Sequence, residues 1–245
     1  MEILGVDIGG SGIKGAPVNI ESGLMLTDRY RIKTPQPATP EAMTDVVAEI
    51  VDHFSWKGPV GCGFPSVVKQ EVALTAANIH KSWIGVNVAE LIGSKTGTAV
   101  HVSNDVDAAG WAEVVFGAGK EKSGLVLILA LGTGIGSCMF IDGCQVPNTE
   151  LGHLIIHGDI AEKYAANSAR KREDLDWETW GGRLNEYLNY VESLCYPDLI
   201  ILGGGVSKYY QEFFPYLHCR AELVPASLRN EAGIVGAAYS AKYLL

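Results

Sequence analysis

The chain has 245 residues, of which 47% are hydrophobic and only 19% charged, so it can bury a full core in one large domain or two small lobes. Its formal net charge of -9 at pH 7 argues against a nucleic-acid partner and against an anionic membrane surface, because either would be repelled over most of the protein. Any polyanionic ligand would therefore need a local basic track.

The first third of the chain predicts a strand, a glycine turn, a second strand and then a helix. Residues 3–7 form an apolar run closed by Asp7, residues 9–12 are glycine-rich, and an extended pattern resumes over 13–18. Thr39 and Pro40 supply an N-cap and a first-turn proline, and apolar residues then recur at helical spacing. We therefore predict an amphipathic helix that begins at Thr39-Pro40.

The next predicted strands are short and end in polar residues. Residues 60–64 and 100–102 are apolar runs, and the second delivers Asn104 and Asp105 at its carboxyl end, before a predicted helix over 108–115. Polar groups at this end of a strand are typical of open α/β sites. The sequence thus predicts a functional edge at Asn104-Asp105.

The second half repeats the opening pattern. A buried strand over 124–131 is broken by the glycine-rich residues 132–136 and resumes over 137–141, which indicates two related lobes rather than a solenoid. An amphipathic helix around 184–194 leads to a strand over 198–202. The tail, residues 232–245, predicts a closing helix.

Three glycine clusters each follow a predicted strand, at residues 9–12, 132–136 and 203–205. Glycine lets backbone amides converge on an anion, so together the clusters indicate a phosphate clamp. Asp7 is suited to hold Mg²⁺, through water, and Lys14 to bind a phosphate oxygen. A single such turn is equally compatible with a tight hairpin. No Walker or dinucleotide motif is present.

Asp105 is the candidate general base, because a carboxylate at a strand end can accept the proton of an attacking hydroxyl. The alternative is that it only caps the following helix, a role for which Asp107 competes. A mixture of amide, acids and imidazole is the composition expected for a sugar site. For Glu150 and Glu162 the alternative is that they are solvent-exposed charges on loops. The candidate sugar ligands are Asn104, Glu150, His153 and Glu162.

The basic track that an acidic protein would need for a polyanion has five candidate lysines, for each of which solvated surface is the alternative. They are Lys14, Lys69, Lys81, Lys120 and Lys208.

The chain resembles the ROK sugar-kinase family, and within it the bacterial polyphosphate glucokinases. The resemblance covers nearly the whole chain. It is carried, in order, by GVDIGGSGIKGAPV, TPQPATP, TAANIHKSWIGVN, NDVDAAG, LGTGIGS, PNTELGHL, YPDLIILGGGVS and NEAGIVGAA.

The resemblance implies a two-lobed, actin-like α/β fold of the ribonuclease-H type, with the active site in the interlobe cleft. Residues 1–104 would form the N-terminal lobe, joined by the helix at about 232–245, and residues 105–231 the C-terminal lobe. It also implies that the enzyme makes glucose 6-phosphate from glucose and polyphosphate with Mg²⁺, Asp105 being the base. No zinc is expected, since residues 154–161 lack the cysteines of the general family motif.

The roles implied for the other residues divide into two groups. Asn104, Glu150, His153 and Glu162 would hold the sugar hydroxyls. Two lysines and the first two glycine turns would hold the donor phosphates, through Gly9, Gly10, Ser11, Gly12, Lys14, Gly132, Thr133, Gly134 and Lys208.

Other interpretations remain open at this stage. An ATP-dependent ROK hexokinase, or a kinase of another hexose, fits the same motifs. A non-catalytic sugar-sensing protein is the alternative from another class. Homodimers are usual in similar proteins, so we expect a homodimer. The five cysteines show no CxxC spacing and the N-terminus no secretory pattern, which favours a cytoplasmic enzyme.

Overall fold

A computed structural model describes all 245 residues and divides them into two compact units. Unit 1 contains residues 1–112 and 231–245, and unit 2 contains residues 113–230. Each unit is built on a mixed β-sheet with helices packed against it, so the predicted α/β class is confirmed.

The sheet of unit 1 has six strands in the order β3-β2-β1-β5-β8, with β4 also paired to β2. The β1–β2 hairpin is antiparallel, whereas β1, β5 and β8 run parallel. A small hairpin, β6–β7, lies apart from this sheet. The strands are β1 (Glu2–Ile8), β2 (Ile13–Asn19), β3 (Leu24–Met25), β4 (Tyr30–Ile32), β5 (Val60–Phe64), β6 (Val68–Lys69), β7 (Val72–Ala73) and β8 (Val100–Asn104).

The helices of unit 1 begin where the sequence supplies capping groups. Thr39 accepts a hydrogen bond from the Ala42 amide at the start of the first helix, and Asn87 accepts one from Glu90 at the start of the second. Apolar residues of the first helix, such as Met43 and Val47, are buried in the core. The helices are α1 (Pro40–His53), α2 (Val88–Thr96) and α3 (Asp105–Phe116); α8, from the chain end, is described below.

The sheet of unit 2 has five strands in the order β11-β10-β9-β14-β15. It repeats the plan of unit 1, because β9 and β10 form an antiparallel hairpin and β9, β14 and β15 run parallel. The predicted repetition of strand, glycine turn and strand is therefore present. A separate antiparallel hairpin, β12–β13, lies outside this sheet. The strands are β9 (Leu125–Leu131), β10 (Ile135–Ile141), β11 (Cys144–Val146), β12 (Ile155–Ile156), β13 (Asp159–Ile160), β14 (Leu199–Gly203) and β15 (Glu222–Pro225).

The core of unit 2 forms around one long helix, α6, whose buried face carries Trp180, Leu184, Leu188 and Val191. Asp176 caps this helix by accepting a hydrogen bond from the Thr179 amide. The helices are α4 (Glu162–Ala165), α5 (Asn167–Arg172), α6 (Trp177–Cys195) and α7 (Tyr210–Phe213), and the last helix of the chain, α8 (Ala232–Ser240), packs in unit 1.

Several element boundaries differ from the predicted ones. The helix predicted from residue 108 already begins at Asp105, so the candidate base lies on the first helical turn. The second glycine turn is shorter than predicted, because β10 resumes at Ile135. The closing helix ends at Ser240 and only a 3₁₀ turn, Lys242–Leu244, follows it. Local composition did not distinguish these ends.

None of the helices combines the length and the apolar character that crossing a bilayer requires.

Candidate active site

The first glycine turn joins β1 to β2 in unit 1. The Gly9 amide donates to the Gly12 carbonyl over 3.1 Å, which closes the turn. Thr34 is buried and its Oγ1 donates to the Gly9 carbonyl over 2.5 Å. On the other side, Arg31 Nη2 donates to the Ser11 carbonyl over 3.0 Å. These three contacts fix the conformation of the turn without help from a ligand.

Asp7 is the last polar residue of β1 and lies opposite Lys14 in the β1–β2 hairpin. Asp7 Oδ2 is 2.9 Å from Lys14 Nζ, and both side chains are largely shielded from solvent. A Cβ added to Gly233, at the start of α8, would lie 2.3 Å from the same carboxylate oxygen. Only glycine fits at that position of α8 if the Asp7 carboxylate is to keep its place.

Asn104 fixes the start of α3. Its Oδ1 accepts hydrogen bonds from the amides of Val106 and Asp107, at 2.9 and 3.1 Å, and its Nδ2 donates to the Ser66 carbonyl over 3.0 Å. The cap that we considered for Asp105 or Asp107 therefore belongs to Asn104. Because Asn104 bonds both to Ser66 and to the first turn of α3, it holds the neighbouring Asp105 at a defined place on unit 1.

Asp105 is half-buried and its ionisation is perturbed. Burial is the largest cause that raises the pKa of Asp105, the negative charge of Asp7 adds to it, and the value reaches about 7 despite the opposing hydrogen bond from the Val106 amide. A carboxyl group with a pKa near neutrality is well matched to proton transfer. Perturbed carboxylates of this kind are concentrated at functional sites.

The second and third glycine turns lie side by side at the carboxyl ends of β9 and β14 in unit 2. A Cβ on Gly204, whose φ is +83°, would lie 2.5 Å from the Leu131 carbonyl, directly before Gly132. The Gly132 amide donates to the Gly134 carbonyl over 2.9 Å. From α5, the Ser168 amide and hydroxyl donate to the carbonyls of Gly132 and Thr133, at 3.1 and 2.5 Å. Unit 2 thus contains two adjoining glycine turns.

Three of the predicted sugar ligands surround the start of β10. Glu162 Oε2 accepts from the Ile135 amide over 3.2 Å, and a Cβ on Gly134 would lie 2.2 Å from that oxygen. Glu150 precedes a 3₁₀ turn, Leu151–His153, whose Gly152 packs against the Ile135 carbonyl. Glu150 Oε2 and His153 Nδ1 are 3.7 Å apart. The structure therefore brings Glu150, His153 and Glu162 to one strand end of unit 2.

The predicted basic residues are spread more widely. Lys14 contacts Asp7, and Lys208 Nζ lies 4.7 Å from the ring centre of Tyr209, just after the third glycine turn. Lys69, Lys81 and Lys120 are exposed on unit 1 or unit 2, and no ion pair joins them to a residue of the glycine turns. Their role as a phosphate track stays a prediction.

Sequence reasoning missed four residues that contact the glycine turns or Asp7, namely Arg31, Thr34, Ser168 and Gly233. Thr34 and Gly233 fall within the sequence blocks TPQPATP and NEAGIVGAA, which we identified without assigning these residues a role. Arg31 and Ser168 are far from their partners along the chain, and no local pattern marks them. The structure has no group of three or more His, Cys, Asp or Glu side chains arranged to hold a metal ion.

Comparison with known proteins places this arrangement in a family. The profile of the ROK family matches residues 3–166. The chain belongs to the ROK family. It is 47% identical over 235 residues to a polyphosphate glucokinase of Mycobacterium tuberculosis (strain CDC 1551 / Oshkosh), covering 96% of this chain and 89% of that protein.

Solved structures agree with the family assignment of this ROK protein. The inorganic polyphosphate/ATP-glucomannokinase of Arthrobacter sp. strain KM is 45% identical and superposes with a TM-score of 0.95, over 100% of this chain and 99% of that one. A ROK glucokinase from Streptomyces griseus, in complex with glucose and AMPPNP, is 25% identical with a TM-score of 0.84, over 99% and 100% of the two chains. The predicted two-lobed sugar-kinase fold is confirmed.

Proposed function

We propose that this protein is a phosphotransferase that makes glucose 6-phosphate from glucose, with inorganic polyphosphate as the donor. The similarity to polyphosphate glucokinases over 96% of the chain supports both substrates. The observation that carries the mechanism is the half-buried Asp105 carboxylate, whose pKa is raised to about 7. A base of this pKa accepts a proton efficiently at neutral pH.

In the proposed reaction Asp105 takes the proton of the glucose 6-hydroxyl as that oxygen attacks the terminal phosphorus of the donor. The new O–P bond forms while the P–O bond to the bridging oxygen breaks, and the bridging oxygen leaves with a chain one phosphate shorter. Phosphoryl transfer of this kind asks the protein chiefly to position reactants and to neutralise charge. The capping of α3 by Asn104 serves that positioning, because it determines where Asp105 lies.

The remaining assignments follow the chemistry of each group. Asn104, Glu150, His153 and Glu162 are proposed to bind the sugar hydroxyls. Asn104 Nδ2 has one hydrogen left for this role beside its bond to Ser66. The donor phosphates are assigned to amides and cations, namely Gly9, Gly10, Ser11, Gly12, Lys14, Gly132, Thr133, Gly134 and Lys208.

Mg²⁺ is the cofactor that kinase chemistry implies, and the residues of unit 1 fit it. Asp7 offers hard carboxylate oxygens beside the first glycine turn. Burial is the main cause of the raised pKa of Asp105, and the charge of Asp7 adds to it, so a cation held by Asp7 would remove that second contribution. Asp7 is the residue proposed to hold the ion, through water. When bound, Mg²⁺ would neutralise charge on the donor phosphates.

Steady-state assays with different donors test the proposal. With saturating glucose and Mg²⁺, we expect kcat/KM for long-chain polyphosphate to exceed that for ATP. ATP is included because the similar Arthrobacter enzyme is a polyphosphate/ATP-glucomannokinase, and mannose is the matching alternative acceptor. Faster use of ATP would make the donor assignment wrong. Glucose binding without turnover of either donor would instead indicate a sugar sensor.

The pH profile gives a second prediction. Because Asp105 acts as a base only when it is ionised, kcat/KM should fall as pH drops through the pKa of about 7 and reach a plateau above it. The measurement is kcat/KM for glucose at saturating polyphosphate over a series of buffers of constant ionic strength. A profile that is flat through neutrality would contradict the assignment of Asp105. Residual activity of Asp105→Asn should lack this inflection.

The cytoplasmic location and the homodimer remain proposals that rest on the sequence.

A further inference from the structure

The surface beside the glycine turns of unit 2 carries cations that have no acidic partner. The segment α5 reads NSARKR, and it contains three basic residues and no acid although the whole chain has a net charge of -9. Arg172 forms an ion pair with Glu173, but no carboxylate lies within ion-pair distance of Arg170, Lys171 or Lys208. Unpaired cations on an acidic protein mark a surface that suits an anion.

This helix is attached directly to the second glycine turn. Ser168 donates two hydrogen bonds to that turn, to the carbonyls of Gly132 and Thr133. Lys171 is three residues beyond Ser168, so the two side chains lie on the same face of α5, about one turn apart. Lys171 is exposed and reaches solvent from the face that touches the turn.

A row of side chains in contact links α5 to the third glycine turn. The Arg170 guanidinium lies 3.9 Å from the ring centre of Trp177, the ring centres of Trp177 and Tyr209 are 5.8 Å apart, and Lys208 Nζ lies over the Tyr209 ring. Arg170 Nη1 also donates to the Leu175 carbonyl over 3.4 Å. We call Arg170, Lys171 and Lys208, with these two rings, the basic strip.

The chemistry of the basic strip favours an inorganic polyanion over a nucleotide base. One face of Trp177 is covered by Arg170, and Phe213 stacks against the ring with its centre 6.1 Å away. A purine that stacked on that face of Trp177 would have to displace the Arg170 guanidinium. What the strip offers is positive charge, and two of the acids that follow α5 are engaged elsewhere, since Glu173 pairs with Arg172 and Arg183 and Asp176 caps α6.

Building on the proposed function, we propose that the basic strip continues the donor site from Lys208, and that its Arg170 and Lys171 bind the part of a polyphosphate chain that extends beyond the reacting end. A linear polyanion releases condensed counterions when cations contact it, so each contact adds affinity that falls with salt. ATP and tripolyphosphate are too short to gain from distal contacts. The strip would thus make the enzyme prefer long chains.

Charge reversal at Lys171 tests this inference. In the full chain, we expect Lys171→Glu to raise KM for long-chain polyphosphate on the order of tenfold, since it replaces an attraction by a repulsion at an exposed site. KM for tripolyphosphate and for ATP should change less than about twofold, and the salt dependence of KM for the long chain should weaken. Lys171→Gln should show the same pattern with a smaller effect.

Lys122→Gln is the matched control, because Lys122 is an exposed lysine of unit 2 that pairs with Glu222 away from the turns. It should leave all three donors unaffected. An equal rise in KM for the three donors in Lys171→Glu would overturn the inference, because the effect would then lie at the turn itself. An unchanged KM for the long chain would also overturn it. Absence of polyphosphate turnover in the unmodified protein would instead refute the proposed function.

Discussion

Replacing Asp105 by Asn is expected to lower kcat for glucose phosphorylation by about 10²- to 10⁴-fold, the contribution that a general base typically makes. The amide has nearly the same shape, and it can still accept the hydrogen bond that Val106 donates to Asp105 Oδ1 over 3.0 Å. The start of α3 should therefore keep its place, because Asn104 supplies the helix cap. Glucose affinity, measured by calorimetry without donor, should change little.

The control for this variant is Asp52→Asn, an identical change at an exposed position of α1, which should retain full turnover. Near-normal turnover in Asp105→Asn would refute the assignment of the base. Loss of turnover together with loss of glucose binding would show that Asp105 has a different role.

Thermal unfolding separates a catalytic effect from a structural one. The folded protein raises the pKa of Asp105 to about 7, above its ordinary value, so folding is favoured by the protonated form and stability falls as pH rises towards and through 7. Asn is neutral at every pH and avoids this loss. The melting temperature of Asp105→Asn relative to the unmodified protein should therefore increase between about pH 5 and pH 8. A difference in melting temperature that did not change between pH 5 and pH 8 would contradict this explanation of the pKa.

Features with a local cause were predictable from the sequence. Thr39 and Pro40 begin α1 because the Thr39 hydroxyl accepts a hydrogen bond from the nearby Ala42 amide and the Pro40 ring fixes a φ suited to the first helical turn. Glycine clusters between apolar runs likewise predicted the turns that close β1 and β9. The cap of α3 was left open between Asp105 and Asp107 and belongs to Asn104, because three adjacent polar residues compete there and composition does not rank them.

Contacts between distant parts of the chain were beyond local reasoning. Nothing near Gly233 shows that it must leave room for the Asp7 carboxylate, and nothing near Arg31 shows that its guanidinium lies against Gly12. The raised pKa of Asp105 has the same origin, since it depends on burial and on Asp7 from another strand. Such properties arise only when the sheet is assembled.

Gly61→Ala is expected to destabilise unit 1 strongly. Gly61 lies in β5, where α8 packs so closely that an added Cβ would be 1.9 Å from the Ala237 carbonyl oxygen and 2.6 Å from its carbon. Both atoms belong to helix backbone, so relief requires the whole helix to shift. Overpacking of this kind costs about 3 kcal/mol or more. The melting temperature should fall by roughly 10 °C for a chain of this size.

The same substitution at Gly182 is the control, because an added Cβ there meets no atom within 4 Å on the exposed side of α6. Alanine is favoured over glycine inside a helix by about 1 kcal/mol, so Gly182→Ala should be neutral or stabilising. The difference in melting temperature between Gly61→Ala and Gly182→Ala therefore tests the close packing of α8 against β5. If Gly61→Ala unfolded at the same temperature as Gly182→Ala, α8 would not lie against β5 as described, and the position of Gly233 beside Asp7 would be in doubt with it.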